Sequence, residues 1–247
     1  RLNALRKKIQ KQFYDTETGL YMEGNQVQTA FPLWRKITPD SLSASVLAHF
    51  EEEFTHNHPY LDMGSSGLPV LLKFLTEEQD FNEAMAGHLS STDEPSYGYF
   101  LKRGETTWPE YWNVDVPSRI HTCYTGIASW FIKSVGGIRP DPSHPGYQQF
   151  IIKPSPIRQL TFARTETESL YGTIKSDWKK KDHLLELAIS IPVNTKATVY
   201  LPATSADKVR ENGKPLSEAE GIKTLGEAGN KLLIEVESGN YTFTMPY

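Results

Sequence analysis

Apolar and polar positions recur with two different periods along this chain, and the change from one to the other divides it. Leu2, Leu5, Ile9 and Phe13 fall at helical spacing with Arg6, Lys7, Lys8, Lys11 and Gln12 between them, the pattern of an amphipathic surface helix. Asp15-Thr16-Glu17-Thr18-Gly19 breaks it, and a second short helix is expected around Val27, Ala30, Phe31 and Trp34. Thr38-Pro39 then opens a third, a capping hydroxyl followed by a proline where a missing N–H costs nothing. Leu42, Val46, Phe50 and Phe54 stack along it at four-residue intervals. Gly64-Ser65-Ser66-Gly67 is one residue too short for the Gly-x-Ser-x-Gly nucleophile elbow and lacks its preceding strand, so it reads as the start of another helix. That helix carries Leu68, Leu71, Leu72 and Leu75, and the next carries Phe81, Ala84, Met85 and His88. Ile120, Cys123, Tyr124, Ile127, Trp130 and Phe131 predict a strongly apolar, largely buried helix that stops at Gly136-Gly137.

Arg139-Pro140-Asp141-Pro142-Ser143-His144-Pro145-Gly146 is the one clear shift in composition. Beyond it the period becomes two: Leu185, Leu187, Ile189 and Ile191 alternate with Glu186, Ala188 and Ser190, and Ala197, Val199 and Leu201 continue in the next run. Asn212-Gly213, Gly239-Asn240 and the stretch from Gly226 to Asn230 read as hairpin turns, and Lys179-Lys180-Lys181 as a solvated turn. Asn240-Tyr241-Thr242 has the N-glycosylation pattern, but a tight turn accounts better for the asparagine. The expectation is an all-α part over residues 1–140 followed by a β-sandwich over 141–247.

Composition narrows the partners. The chain has 247 residues, 26 basic and 30 acidic, for a net charge of -4. No basic stripe is visible, which argues against nucleic acid, and no apolar run approaches the length of a membrane span. The single cysteine, Cys123, has no internal partner and indicates no compartment; within an apolar pattern it reads as an inert buried thiol. No phosphate-cradling glycine loop, dinucleotide fingerprint or cysteine-based zinc pattern occurs, so no cofactor is expected. His56-Asn57-His58-Pro59 with Asp62 offers metal-ligand residue types, but the spacing fits a loop equally well and no metal is assigned. The chain opens at Arg1, inside an amphipathic helix, and is expected to be a piece of something longer.

Candidate chemistry gathers in Gly104-Glu105-Thr106-Thr107-Trp108-Pro109-Glu110-Tyr111-Trp112 and the run from Arg119-Ile120-His121. One carboxylate, Glu110, stands among Trp108, Tyr111 and Trp112 and ahead of His121. Aromatic faces offer apolar area of defined geometry, and a carboxylate beside them can take or give a proton. These are the parts of a sugar site. They also fit an ordinary Trp-rich loop, with Glu110 solvated and His121 a satisfied histidine on a helix flank.

The order of motifs resembles the C-terminal part of bacterial α-L-rhamnosidases of glycoside hydrolase family 78. Leu61-Asp62-Met63-Gly64-Ser65-Ser66-Gly67-Leu68-Pro69 is similar to the family's His-Leu-Asp-Thr-Gly segment, and Lys102-Arg103-Gly104-Glu105-Thr106-Thr107 to its Gly-Ala-Thr-Thr approach to the catalytic carboxylate. Trp130-Phe131 through Gly136-Gly137-Ile138-Arg139-Pro140-Asp141 resembles its Trp-Phe…Ala-Gly-Ile-x-Pro-Asp helix end, while Tyr171 to Trp178 and Ile191 to Thr195 match in the β part. The resemblance implies an (α/α)6 barrel of six-hairpin glycosidase type, incomplete here because the helices are too few for a closed ring, followed by an antiparallel β-sandwich. It implies release of terminal α-L-rhamnose with inversion, Glu110 as general base, His121 as a sugar contact and Trp112 as a tryptophan near the site. Two positions depart from the family: Pro109 stands where Trp usually precedes the Glu, and Ile120 where Asn usually precedes the His.

Inversion requires two carboxyl groups roughly 6.5 to 9.5 Å apart, one to protonate the leaving oxygen and one to deprotonate water. In the family the acid lies in an Asp/Arg/Glu-containing segment of an earlier barrel helix, and no matching segment occurs here. Glu105 and Asp115 read more simply as loop charges, and Asp62 as a support of the barrel. The expected partners are therefore a rhamnose-containing glycan or glycoside and the remainder of a parent barrel, and this chain alone is expected to be inactive. The alternatives are a hydrolase for a different α-glycoside, or a non-catalytic carbohydrate-binding or structural module in which Trp108, Tyr111, Trp112 and Trp34 stack on sugar.

Overall fold

The computed structural model describes residues 1–57, 60–75 and 81–247. Two compact units share the chain, Arg1–Ile127 and Ala128–Tyr247.

The first unit is helical. Helices α1 (Leu2–Phe13), α2 (Gln26–Trp34) and α3 (Asp40–Glu52) follow the predicted pattern. Asn25 caps α2 with a reciprocal box: its side chain accepts from the Gln28 N–H at 3.0 Å and Gln28 Oε1 accepts from the Asn25 N–H at 3.3 Å. Helix α3 starts without a side-chain cap, and Thr38 is buried instead of capping it. The four-residue stripe of α3 buries Val46 and Phe50 and continues through a wider, π-helical turn at Glu53–Asn57 that buries Phe54. Phe50 stacks on Phe54 at 5.3 Å and meets Phe74 edge-on at 4.9 Å. Helices α4 (Leu68–Lys73), α5 (Asn82–Ser90) and α6 (Tyr97–Lys102) complete the set, α4 starting directly after the Gly64–Gly67 segment. His58 and Pro59 of the histidine-rich loop lie outside the described residues. Among the described residues no cluster of three metal-ligating side chains occurs, and no helix is long and apolar enough to cross a membrane.

The apolar run from Ile120 differs from expectation. In place of one continuous helix it forms an extended stretch through His121, a 3-10 turn at Thr122–Tyr124, a short α7 (Ile127–Trp130) and a π-helical turn at Phe131–Val135. The His121 N–H donates to the carbonyl of Trp108 at 2.8 Å, so the backbone there serves a loop ladder and cannot join a helix. Ile120 is 83% exposed as a result.

The second unit is a sandwich of two sheets. A five-stranded sheet runs in the order β1 (Ile138–Pro140), β2 (Gln149–Ile152), β6 (Lys196–Leu201), β10 (Lys231–Val236), β9 (Ile222–Ala228). A six-stranded sheet runs β3 (Phe162–Ser169), β4 (Gly172–Lys181), β5 (Leu184–Ile191), β11 (Gly239–Pro246), β7 (Arg210–Glu211), β8 (Lys214–Pro215). Every pair is antiparallel except β2 with β6. Strand β1 takes in the first two residues of the proline-rich stretch, Arg139 and Pro140. In β5, β6 and β10 each alternate residue is buried, as the two-residue period requires.

Two predicted turns fall elsewhere, and a third comes at the end of its predicted stretch. Lys179-Lys180-Lys181 continues β4 beyond the buried Trp178, and the reversal comes at Asp182 and His183, both at positive φ. Gly239-Asn240 opens β11. Within the stretch from Gly226 to Asn230 the chain does reverse, at Gly229-Asn230 between β9 and β10, while Gly226 itself pairs in β9 next to a register shift opposite Leu233/Ile234. Asn212-Gly213 does join β7 to β8. At the head of the sheet, Gly137 has φ +82° and a Cβ there would lie 2.2 Å from the nitrogen of Pro154, so only glycine fits.

Candidate active site

Residues 107–121 form an arch whose two limbs are laddered together. Thr107 Oγ1 donates to the carbonyl of Arg119 at 2.5 Å, the Glu110 N–H to the carbonyl of Ser118 at 3.0 Å, and the His121 N–H to that of Trp108 at 2.8 Å. Glu110 and His121 are thereby brought onto one short piece of structure. Glu105 pairs with Arg119 at 3.1 Å and Asp115 with Arg103 at 3.8 Å, so both carboxylates brace the loop.

Cys123 links the two candidate residues. Its N–H donates to His121 Nδ1 at 3.3 Å, while its Sγ lies 2.9 Å from the same nitrogen and 3.8 Å from the carbonyl oxygen of Glu110. A ring nitrogen that accepts from a backbone N–H carries no hydrogen, which assigns the imidazole hydrogen to Nε2. His121 thus caps the 3-10 turn with one nitrogen and keeps a donor on the other. Glu110 is half-buried, and among the described residues its carboxylate makes no hydrogen bond or ion pair.

The aromatic residues divide into two kinds. Trp112 is built into the scaffold: its indole N–H donates to the carbonyl of Met63 at 2.6 Å, and its ring lies 4.3 Å from Tyr124, 5.3 Å from Phe100 and 5.5 Å from Tyr97. Trp108 is half-buried with its ring edge-on to Tyr97 at 5.1 Å, and Tyr111 is 57% exposed. Behind Met63, Asp62 accepts from the Gln26 N–H at 3.3 Å and so ties the first turn of α2 to this wall. Trp34 stands apart, with the Arg35 guanidinium 4.8 Å and the Lys73 ammonium 5.5 Å from its ring centre. Tyr97 and the Met63 carbonyl were not predicted from sequence, and Cys123, read there as an inert buried thiol, is half-buried and in contact with both candidate residues.

Burial raises the phenol of Tyr97 well above its usual range and pushes that of Tyr124 up to about 12, with the neighbouring phenol and thiol adding to the effect. Both folded values exceed the unfolded one of 10.0, so the stability tied to these groups is complete below about pH 10 and is lost as pH rises through the folded values. The urea midpoint of the helical unit is expected to fall between pH 9 and pH 11.5; an unchanged midpoint would mean that the two hydroxyls are exposed.

The family model of the bacterial alpha-L-rhamnosidase 6 hairpin glycosidase domain matches residues 1–135, and that of the bacterial alpha-L-rhamnosidase C-terminal domain residues 137–215. The chain belongs to the bacterial α-L-rhamnosidase family. Among curated relatives, the α-L-rhamnosidase of Streptomyces avermitilis is 28% identical over 96% of this chain and 23% of its own length. The crystal structure of the Streptomyces avermitilis α-L-rhamnosidase complexed with L-rhamnose aligns at 26% identity with a TM-score of 0.85, covering 97% of this chain and 23% of that one. The structure of the α-L-rhamnosidase from Dictyoglumus thermophilum aligns at 25% identity with a TM-score of 0.85, covering 98% of this chain and 28% of that one. The chain therefore spans about a quarter of the length of these relatives, and its helical unit and sandwich correspond to a six-hairpin glycosidase domain and the β-domain that follows it.

Proposed function

We propose that this chain is the C-terminal part of a longer, inverting glycoside hydrolase that releases terminal α-L-rhamnose, with Glu110 as the general base. The observation that carries this is a half-buried carboxylate that has no partner among the described residues, on a residue whose backbone carbonyl meets the Cys123 thiol beside a histidine that presents an Nε2–H. A base must be close to its water and not already engaged by a cation or a strong donor, and Glu110 meets the second condition while Glu105 and Asp115 do not.

In the proposed reaction Glu110 takes a proton from water as the water oxygen bonds to C1 of the sugar. The glycosidic C1–O bond breaks on the opposite face, and a second carboxyl group, contributed by the remainder of the barrel, protonates the leaving oxygen. Configuration at C1 inverts, and the product is β-L-rhamnose. His121 donates through Nε2 to a sugar hydroxyl, Trp108 and Tyr111 supply apolar faces, and Trp112 holds the arch against the Met63 carbonyl.

Stereochemistry tests this reading. With an aryl α-L-rhamnoside followed by proton NMR, the longer enzyme is expected to release the β anomer first, with the α anomer growing in only by mutarotation. This chain by itself is expected to give no turnover, since it lacks the acid. An α-first product, or turnover by the isolated chain at a rate comparable with the longer enzyme, would overturn the proposal.

A further inference from the structure

Among the described residues the Glu110 side chain has no hydrogen bond to fix it, so the arch that carries it sets its position. The residues two before and two after it, Trp108 and Trp112, both meet the same ring: Tyr97 lies 5.1 Å from Trp108 at 86° and 5.5 Å from Trp112 at 85°. The hydroxyl of that ring donates to the carbonyl of Tyr124 at 2.6 Å, at the end of the turn that His121 caps. One buried side chain, 5% exposed, thus packs against the tryptophans on both sides of Glu110 and grips the turn of His121.

Tyr97 is itself held firmly. It opens α6, where the Ser96 side chain accepts from the Tyr99 N–H at 2.9 Å and donates to the carbonyl of Ser91 at 2.5 Å. At Gly98 a Cβ would lie 2.2 Å from that same carbonyl oxygen, so α6 is seated directly on the end of α5 and a larger residue would lift it. Phe100, one turn on, stacks on Trp112 at 5.3 Å and 21°. The path runs from the end of α5 through α6 to the limb of the arch that carries Glu110.

We propose that Tyr97 is the positioning residue for the general base: it sets the height of Glu110 without touching substrate. The inference rests on the reading of Glu110 as base. A misplacement of about 1 Å in a reacting group costs on the order of a hundredfold in rate. In the longer enzyme, Tyr97→Leu, which removes both ring contacts and the hydroxyl, is expected to lower kcat about a hundredfold with KM within about threefold. Tyr97→Phe, which keeps the ring, is expected to retain kcat to within about fivefold, the loss of one hydrogen bond. The decisive arm is a double-mutant cycle. When Glu110 is already Gln, Tyr97→Leu is expected to change the residual kcat by less than about threefold, because its effect is transmitted through the missing carboxylate. If Tyr97→Leu does not fold, Tyr97→Met fills the same volume with a flexible chain and carries the same expectations.

A folded Leu or Met variant with wild-type kcat would overturn the inference, as would an equally large loss in the Glu110→Gln background. An unchanged kcat in Glu110→Gln alone would instead remove the base assignment, so the two failures are told apart.

Discussion

Glu110→Gln in the longer enzyme is expected to lower kcat by about 10²–10⁴-fold, the contribution of a positioned general base, while affinity for L-rhamnose stays within a few-fold. Gln is nearly isosteric with Glu and keeps a carbonyl oxygen to accept from water, so the arch, its ladder to residues 118–121 and the aromatic cluster below it have no reason to move. What Gln cannot do is take the proton. A loss confined to kcat therefore reads as lost chemistry, whereas a matching loss of affinity would make Glu110 a binding group. The half-burial of the side chain adds to the expected effect, since charge developing away from bulk water is screened less.

The second large effect lies in the sandwich. Trp178 is 1% exposed, and its indole N–H donates to the carbonyl of Val135 at 2.8 Å; two residues earlier, the buried Ser176 hydroxyl donates to the carbonyl of Gly136 at 2.6 Å. Strand β4 thus satisfies two successive carbonyls of the segment that leads into β1, as well as filling the space between the sheets. Trp178→Ala is expected to destabilise the sandwich by about 3–5 kcal/mol, the range for removing a buried aromatic ring. It would also leave the Val135 carbonyl unpaired, which adds to the cost. Trp178→Phe restores most of the volume but not the bond, and is expected to lose roughly a third to a half as much. Urea unfolding followed by circular dichroism measures both; a loss under about 1 kcal/mol for the Ala variant would show that the site refills or that the ring is not enclosed.

Legibility of this fold in the sequence tracked how local its causes are. The stripe of α3 and the alternation in β5 and β6 are strong because each residue's burial follows from its own place in the period. Helices α4 and α6 have six residues each, too few for a period to be counted, and α6 is held by Ser91, Ser96 and Gly98 more than by any apolar stripe. The run from Ile120 has an apolar residue at nearly every turn of a supposed helix, yet the ladder to Trp108 takes the backbone of His121 and interrupts it. Lys179-Lys180-Lys181 looks like a turn by charge alone, while the register with β5, from Lys179 opposite Glu186 to Lys181 opposite Leu184, carries it on as strand. Gly239-Asn240 has turn chemistry but pairs with Ile191 and Ser190.

The site divides in the same way. Glu110, His121 and the aromatic residues Trp108, Tyr111 and Trp112 lie close together in sequence, so motif order was enough to make them candidates. Their supports are not: the Met63 carbonyl is 49 residues from Trp112 along the chain, and Tyr97 is 27 from the carbonyl it bonds. No spacing rule reaches across such distances. The acid that the proposed reaction needs belongs to neither class, because the resemblance implies a barrel segment that no stretch of this sequence matches.

The most direct test of Glu110 as the base bypasses it chemically. In the longer enzyme, Glu110→Ala removes the carboxylate and leaves a gap beside C1, which a small anion that needs no deprotonation can enter. Added azide is expected to restore turnover of an aryl α-L-rhamnoside by a factor of about ten or more, with β-L-rhamnosyl azide as the product, formed as the C1–N bond replaces the glycosidic C1–O bond with inversion. Full activity of Glu110→Ala without azide, or recovery that yields the α-azide, would contradict the account.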